Sequence, residues 1–324
     1  MSQPYASLSP DKVVDCVEHV GYRCDLRLLA LNSYENRVYQ VGLEDETPII
    51  AKFYREGRWT DTQILEEHAF SLALQGHGLS VIAPLVVNGD TLHHVEGHRF
   101  SLFPRRGGHP PELDNLDHLL SLGRTLARIH RVGATLELPH RPALSIDRTV
   151  TASREFILEH FIPRDLVAAY SSLADDCEQA IKGLLDTHDE SMNQIVHGDC
   201  HTGNILWRDD TPHFVDLDDC YSAPCIQDLW MFLSGDRSQR ELQLSELIGG
   251  YEEFNDFDPA QLRWIEALRT MRIMHYAAWL GRRWDDPAFP LAFPWFGQER
   301  FWADHILELR EQLAAMQEPP LRLL

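Results

Sequence analysis

Positive charge is scarce in this chain. Against 50 Asp and Glu stand only 29 Lys and Arg in 324 residues, a formal charge of −21. That balance opposes general binding to nucleic acid or to an anionic membrane surface, while leaving room for a local basic cleft. Long apolar runs are missing as well, and none is long enough to span a bilayer. The stretch Met1-Ser2-Gln3-Pro4-Tyr5 has no basic region leading into an apolar core, so no secretion signal is read there. Cysteine is sparse and scattered: Cys16, Cys24, Cys177, Cys200, Cys220 and Cys225 lack the paired spacing of a metal site. They read as reduced thiols of a cytoplasmic protein. Internal repeats and low-complexity tracts are absent, which excludes a solenoid array. What remains is a chain with 44% apolar residues, long enough to bury a core in each of two lobes.

The densest chemical signal is Val196-His197-Gly198-Asp199-Cys200-His201-Thr202-Gly203-Asn204-Ile205-Leu206, followed by Phe214-Val215-Asp216-Leu217-Asp218-Asp219. An apolar run into His-Gly-Asp places Asp199 on a loop after a strand, where its carboxylate can accept a proton from an attacking hydroxyl. Asn204, five residues on, can give an amide oxygen to a magnesium ion. Asp216, after a second short strand-like run, can hold another coordination position while ATP phosphates complete the shell. Asn, Asp and Gly are also ordinary turn formers. The order of base, amide and metal acid between strand-like flanks is nonetheless specific to phosphoryl transfer, which needs positioning and charge neutralisation more than covalent chemistry.

Upstream, Asp11 to His19 predicts a short amphipathic helix, and Leu26 to Val41 two strands joined by Asn32-Ser33-Tyr34-Glu35-Asn36. Ile49 to Tyr54 predicts a strand, Thr60 the start of a helix, and Val81 to Val87 and Arg99 to Pro104 two further strands. Lys52, on its strand, is the candidate to hold the α- and β-phosphates. Glu67 on the following helix is its candidate partner, with Glu66 a competitor for that role. The joining loop has none of the glycines of a GxGxxG phosphate loop, so Ser33 is offered as a phosphate donor there, with an ordinary hairpin turn as the alternative.

Beyond Phe103 to Gly108 the chain is mostly helical. A helix begins within Ser222 to Trp230, and Leu262 to Trp284 and Phe301 to Met316 have helical patterns. Between the last two, Asp285 to Phe296 is rich in proline and aromatics, suited to core packing or an acceptor groove. Arg272, Arg282 and Arg283 are candidates for acceptor contacts or surface ion pairs.

The HGDxHxGN motif with its downstream Asp resembles the aminoglycoside phosphotransferase and choline kinase superfamily, relatives of protein kinases. The resemblance implies an α+β, bilobal, protein-kinase-like fold: a β-rich N-lobe over residues 1–104 and a mainly helical C-lobe over 105–324. It also implies that Asp228 braces the catalytic loop by hydrogen bonds, with His197 as further structural support. The alternative for Asp228 is an acid stabilised by a helix N-terminus. Stretches such as Leu31 to Gln40, Ala51 to Arg55, Gln63 to His68, Asn204 to Asp209 and Gln317 to Leu321 resemble one bacterial branch of that superfamily along nearly the whole chain. This closer likeness implies a monomeric, cytoplasmic, magnesium-dependent kinase that uses ATP to phosphorylate serine and threonine in proteins under envelope or oxidative stress. A kinase of amino alcohols or sugars is the nearest alternative, and a nucleotide-binding pseudokinase the contrasting one.

Overall fold

The computed structural model describes residues 5–44 and 46–324. Met1 to Pro4, which carry most of the stretch searched for a targeting signal, and Asp45 lie outside the described residues. The chain opens with α1 (Pro10–His19). Ser9 caps it by accepting from the Lys12 amide, and Pro10 fits the first turn, where no amide donor is needed.

Five strands follow as an antiparallel sheet: β1 (Cys24–Ala30), β2 (Arg37–Leu43), β3 (Ile49–Phe53), then, after α2 (Asp61–Gly76), β4 (His93–Val95) and β5 (His98–Pro104). Their order is β1-β2-β3-β5-β4. Alternation along β3 decides the function of each residue. Ile49, Ala51 and Phe53 enter a core shared with Val13, Cys16 and Val17 of α1, which leaves Ile50 and Lys52 on the face that lines a large cleft. Helix α2 begins with a reciprocal cap between Thr60 and Gln63, and it buries Ile64, Glu67, His68, Ser71 and Leu74 on one side.

The strand expected over Val81 to Val87 does not form. Only Val81 and Val87 make isolated bridges, to Phe214 and Asp90, because Pro84 has no amide to give a ladder. The segment instead bonds across the lobe junction, Ile82 N donating to Phe214 O at 2.9 Å and Phe214 N to Ser80 O at 2.9 Å.

The second lobe is helical: α3 (Leu116–Gly133), α4 (Ala152–His160) and α5 (Val167–Leu185) precede the short strands β6 (Gln194–Val196), β7 (Ile205–Arg208), β8 (Thr211–Phe214) and β9 (Tyr221–Ala223). Helices α6 (Ile226–Leu229), α7 (Arg237–Glu252), α8 (Ile265–Gly281), α9 (Ala288–Ala292) and α10 (Glu299–Ala315) complete it. Strand β6 pairs with β9, and β7 with β8, so two small ribbons present the loops between them to the cleft. Helices α3 and α7 pack unusually closely: a Cβ at Gly123 would strike the Leu247 carbonyl, and one at Gly250 the Leu120 carbonyl. The proline-rich stretch after α8 also differs from expectation. Ala288 to Ala292 is helical, with Pro290 in the first turn, where a missing amide breaks no intrahelical bond.

Candidate active site

Strand β6 delivers the chain to Gly198, whose φ of +85° and contact with the Asp219 carbonyl leave no space for a side chain. Immediately behind it, Asp228 takes three hydrogen bonds in a fully buried position: from His197 N at 2.7 Å, from Gly198 N at 2.9 Å, and with His130 Nε2 at 3.0 Å. His130 Nδ1 in turn lies 3.0 Å from the Tyr251 hydroxyl, so the loop is tied to α3 and α7. The His197 ring lies 2.9 Å, through Nε2, from the carbonyl of Val215, which joins this loop to the segment carrying Asp216. Val215 N donates to Asn204 O at 3.0 Å and closes the link from the other side.

On this frame Asp199 faces the cleft. Arg272 of α8 contacts its Oδ1 at 2.5 Å, and His201 Nε2 lies 3.5 Å from its Oδ2. Burial works to raise the pKa of Asp199, but His201 and Arg272 outweigh it and hold the carboxyl well below its ordinary range. It is therefore a fixed anion. Asn204 Nδ2 donates to Asp199 O at 2.9 Å, which orients the amide and leaves its Oδ1 free to accept. Asp216, half exposed, sits in the left-handed region at φ 59° and ψ 60°. A backbone held there turns the carboxylate out of β8 and back towards Lys52.

Lys52 Nζ lies 2.7 Å from Asp216 Oδ1 and 3.4 Å from Asp218 Oδ1. Burial alone would lower its pKa; the two carboxylates more than offset that and hold the ammonium well above its ordinary value. The expected ion pair of Lys52 with Glu67 is not formed. Glu67 accepts from Ser71 Oγ at 3.2 Å and its Oε2 has no hydrogen-bond partner among the described residues. Burial raises the pKa of Glu67 to about 7 against the opposing pull of Lys52, which weakens it as a partner beside two aspartates. Glu66 faces elsewhere, accepting from the amides of His140 and Arg141. Ser33 lines the roof of the cleft within the β1–β2 loop.

Several residues of the site carried no sequence signal strong enough to single them out. Asp218 is buried and held ionised, well below the usual carboxyl range. Burial opposes that state, and Arg58, Lys52 and Arg141 supply it. Arg58 grips Asp218 and Asp219 together, while Asn36 Nδ2 donates to Asp218 at 3.1 Å. The run Asp216-Leu217-Asp218-Asp219 was the available hint, but nothing local distinguishes which acid faces which cation. The glycine-poor loop, in turn, is anchored to the opposite lobe. Glu35 accepts from Trp279 Nε1 at 2.6 Å and pairs with Arg283 at 2.6 Å, and the Tyr34 ring packs 4.8 Å from that of Phe293. All six cysteines are free and buried. Cys200 and Cys220 border the site, and burial pushes both thiols upward, away from the reactive thiolate.

The cleft so formed has a volume of about 1000 Å³ and runs from Ile50, Lys52 and Phe103 at one end to Arg148, Arg272 and Tyr276 at the other. No group of three or more His, Cys, Asp or Glu side chains among the described residues is arranged to hold a metal ion unaided. The free Oδ1 of Asn204 and the half-exposed carboxylate of Asp216 suit a hard cation that takes its remaining oxygens from phosphate and water.

A β-rich lobe over a helical lobe, with a lysine, two acids and an amide converging between them, is the architecture of a kinase-like phosphotransferase. The chain belongs to the phosphotransferase enzyme family (APH), which matches residues 27–265. Along almost its full length it is similar to stress response kinase A of Escherichia coli O157:H7, at 44% identity covering 98% of this chain and 97% of that protein. It is 42% identical, over the same shares of both chains, to a Salmonella typhimurium protein called serine/threonine protein kinase RdoA. Among solved structures, amicoumacin kinase hAmiN in complex with AMP-PNP, Ca2+ and Ami superposes with a TM-score of 0.76 at 19% identity, covering 97% of this chain and 96% of that one. At that identity the likeness speaks to the fold. No helix among the described residues is long and apolar enough to cross a membrane.

Proposed function

We propose that this protein transfers the γ-phosphoryl group of ATP, with magnesium, to serine and threonine hydroxyls of proteins, as part of a cytoplasmic response to envelope or oxidative stress. The observation that carries the reading is the convergence of Asp199, Asn204, Asp216 and Lys52 on one wall-to-wall cleft. The names of the full-length relatives support the acceptor and the stress role.

In this reading Lys52 turns from Asp216 and Asp218 to hold the α- and β-phosphates, while Ser33 approaches them from the roof. Asn204 and Asp216 would hold magnesium, which when bound neutralises charge on the phosphate oxygens. Asp199 orients the acceptor hydroxyl; its oxygen forms the new bond to the γ-phosphorus as the bond to the β–γ bridging oxygen breaks, ADP leaves, and the hydroxyl proton passes to Asp199. Because Asp199 is held as a weak base, orientation contributes more than early proton removal, in keeping with a loose transition state. Asp228 and His197 hold the loop in register and touch no reactant. Glu67, buried behind Lys52, touches no phosphate in this reading.

A second reading, transfer to an amino alcohol or sugar, takes its motive from the name of a solved structure that shares the fold, a microcompartment-associated aminopropanol kinase. Turnover of magnesium-ATP against a protein set and a metabolite panel separates the two: labelled serine or threonine supports the proposal, and turnover only with metabolites refutes it. Within either reading, Asp199→Asn should retain ATP binding by calorimetry and lose single-turnover transfer by roughly 10²–10⁴-fold. Normal transfer would remove Asp199 from the chemistry.

A further inference from the structure

The acceptor end of the cleft is built mainly from α8 and the turn before α4. Arg272, His275, Tyr276 and Trp279 line it from α8, Arg283 from just past that helix, and Arg148 from the facing turn. Burial above all, and then the guanidiniums of Arg282, Arg148, Arg283 and Arg272, lower the pKa of His275 to about 4. It is therefore neutral near pH 7. Its Nδ1 lies 3.4 Å from Ser153 Oγ, and its Nε2 makes no hydrogen bond among the described residues.

The acids nearby are already committed. Glu35 is taken by Arg283 and Trp279, Asp219 by Arg58, and Asp199 Oδ1 by one nitrogen of Arg272. Arg148 has no ion pair or side-chain hydrogen bond among the described residues; the residue is exposed at the cleft wall, while the surroundings partly desolvate its guanidinium and lower its pKa. The aromatic pair Tyr276 and Trp279 stacks at 5.7 Å and resembles one wall of a cage for a quaternary amine. Arg283, however, already lies 4.9 Å over the Trp279 ring, so that face is occupied by a cation. A cationic acceptor would meet uncompensated arginine here and find no free carboxylate.

We infer that the acceptor end of the cleft recognises a negatively charged group, carboxylate or phosphate, next to the hydroxyl that receives the phosphoryl group, seating it between Arg148, Arg272 and His275. Arg272 has the donors for it: one nitrogen stays on Asp199 while the rest of the guanidinium faces the anion, so one side chain sets the distance between the acceptor's charge and the group that orients its hydroxyl. Resting on the protein-kinase reading, the acceptor is then a serine or threonine with an aspartate, glutamate or phosphorylated residue within one or two positions.

The test is steady-state phosphorylation, by the full-length protein with magnesium-ATP, of serine peptides flanked by Asp, phosphoserine, Ala or Lys. Two partly exposed ion pairs worth about 0.5–1 kcal/mol each should favour Asp or phosphoserine over Lys by roughly tenfold in kcat/KM. Arg148→Ala should cut that preference to roughly threefold, the part left to Arg272, by raising KM for the acidic peptides with kcat kept, and Arg148→Lys should restore part of it. Equal use of acidic and Lys peptides, or an Arg148→Ala loss shared by all peptides, overturns the inference. Should no peptide be labelled, the protein-kinase reading fails separately, and calorimetric titration of the magnesium-ADP form with O-phosphoserine and with ethanolamine tests the site itself. O-phosphoserine binding that weakens in Arg148→Ala upholds it, whereas ethanolamine alone binding, or O-phosphoserine binding indifferent to Arg148, overturns it.

Discussion

Replacing Glu67 by glutamine should stabilise the nucleotide-free protein by an amount that grows as pH rises from about 4.5 and is complete above about 7. The side chain is buried beneath β3 with one oxygen unpartnered, and burial raises its pKa from 4.5 to about 7. Between those values the unfolded chain has released the proton and the folded one has kept it. Folding then takes up a proton, and stability falls as pH rises. Below pH 4.5 both states are protonated and nothing is lost; above pH 7 the loss is complete. The gap, at about 1.4 kcal/mol per pH unit, amounts to about 3 kcal/mol, a large share of the roughly 5–15 kcal/mol that holds a domain together. Glutamine has nearly the same shape and no charge to desolvate, so it escapes the penalty. Urea unfolding of wild type and Glu67→Gln at pH 5 and pH 8.5, without ATP or magnesium, reads the difference directly. The variant should gain about 2–3 kcal/mol at pH 8.5 relative to its difference at pH 5. An equal difference at both pH values would show that Glu67 is ionised in the folded protein, paired in a way this structure does not contain.

Three other substitutions probe the remaining parts of the site. Asp228→Ala leaves the buried donors of His197, Gly198 and His130 without an acceptor; at about 1–3 kcal/mol each, urea unfolding should show a loss of roughly 3–9 kcal/mol, and a loss under 1 kcal/mol would deny the brace. Asp216→Asn keeps a residue tolerant of the left-handed backbone and removes only charge, so magnesium-dependent ATP turnover should fall by at least about 10²-fold with the melting temperature nearly kept. Turnover near the wild-type level would end its role as a metal ligand. Lys52→Ala should raise KM for ATP while the fold persists, since Arg58 still neutralises Asp218; unchanged ATP kinetics would contradict its assignment to phosphate.

How much of this was readable beforehand depended on sequence distance. His197 to Asn204 and Asp216 lie within twenty residues, bounded by short apolar strands, and their types and order sufficed to expect Asp199, Asn204 and Asp216 at one cleft, where the structure brings them together. Four of the five sheet strands were legible, as at Ile49 to Phe53, whereas the three-residue β4 (His93–Val95) was too short to show a pattern. Pro84 and Pro290 misled in opposite directions: the first sat in an apolar run that looks extended but lacks a donor, the second in a first turn where the missing donor is harmless. Contacts between distant segments left no local trace. Arg58 with Asp218, Glu35 with Arg283 and Arg272 with Asp199 each join residues far apart in the chain, and charge alone offers every arginine dozens of acids to choose from. The pairing of Lys52 failed for a related reason, because the burial that keeps Glu67 protonated is a property of the packed α2 and β3, not of the residues themselves.

The placement of the thiols gives the molecule a built-in set of clocks. Cys16 and Cys24 sit in the N-lobe core, Cys177 lies between α5 and α10, and Cys200, Cys220 and Cys225 flank the catalytic loop. An alkylating reagent can reach each only when its own surroundings part, so the rate at which a given cysteine is labelled reports the free energy of that local opening. Early modification of Cys200 and Cys220, with Cys16 and Cys177 still protected, would register the catalytic loop lifting from its seat while both lobes stay folded.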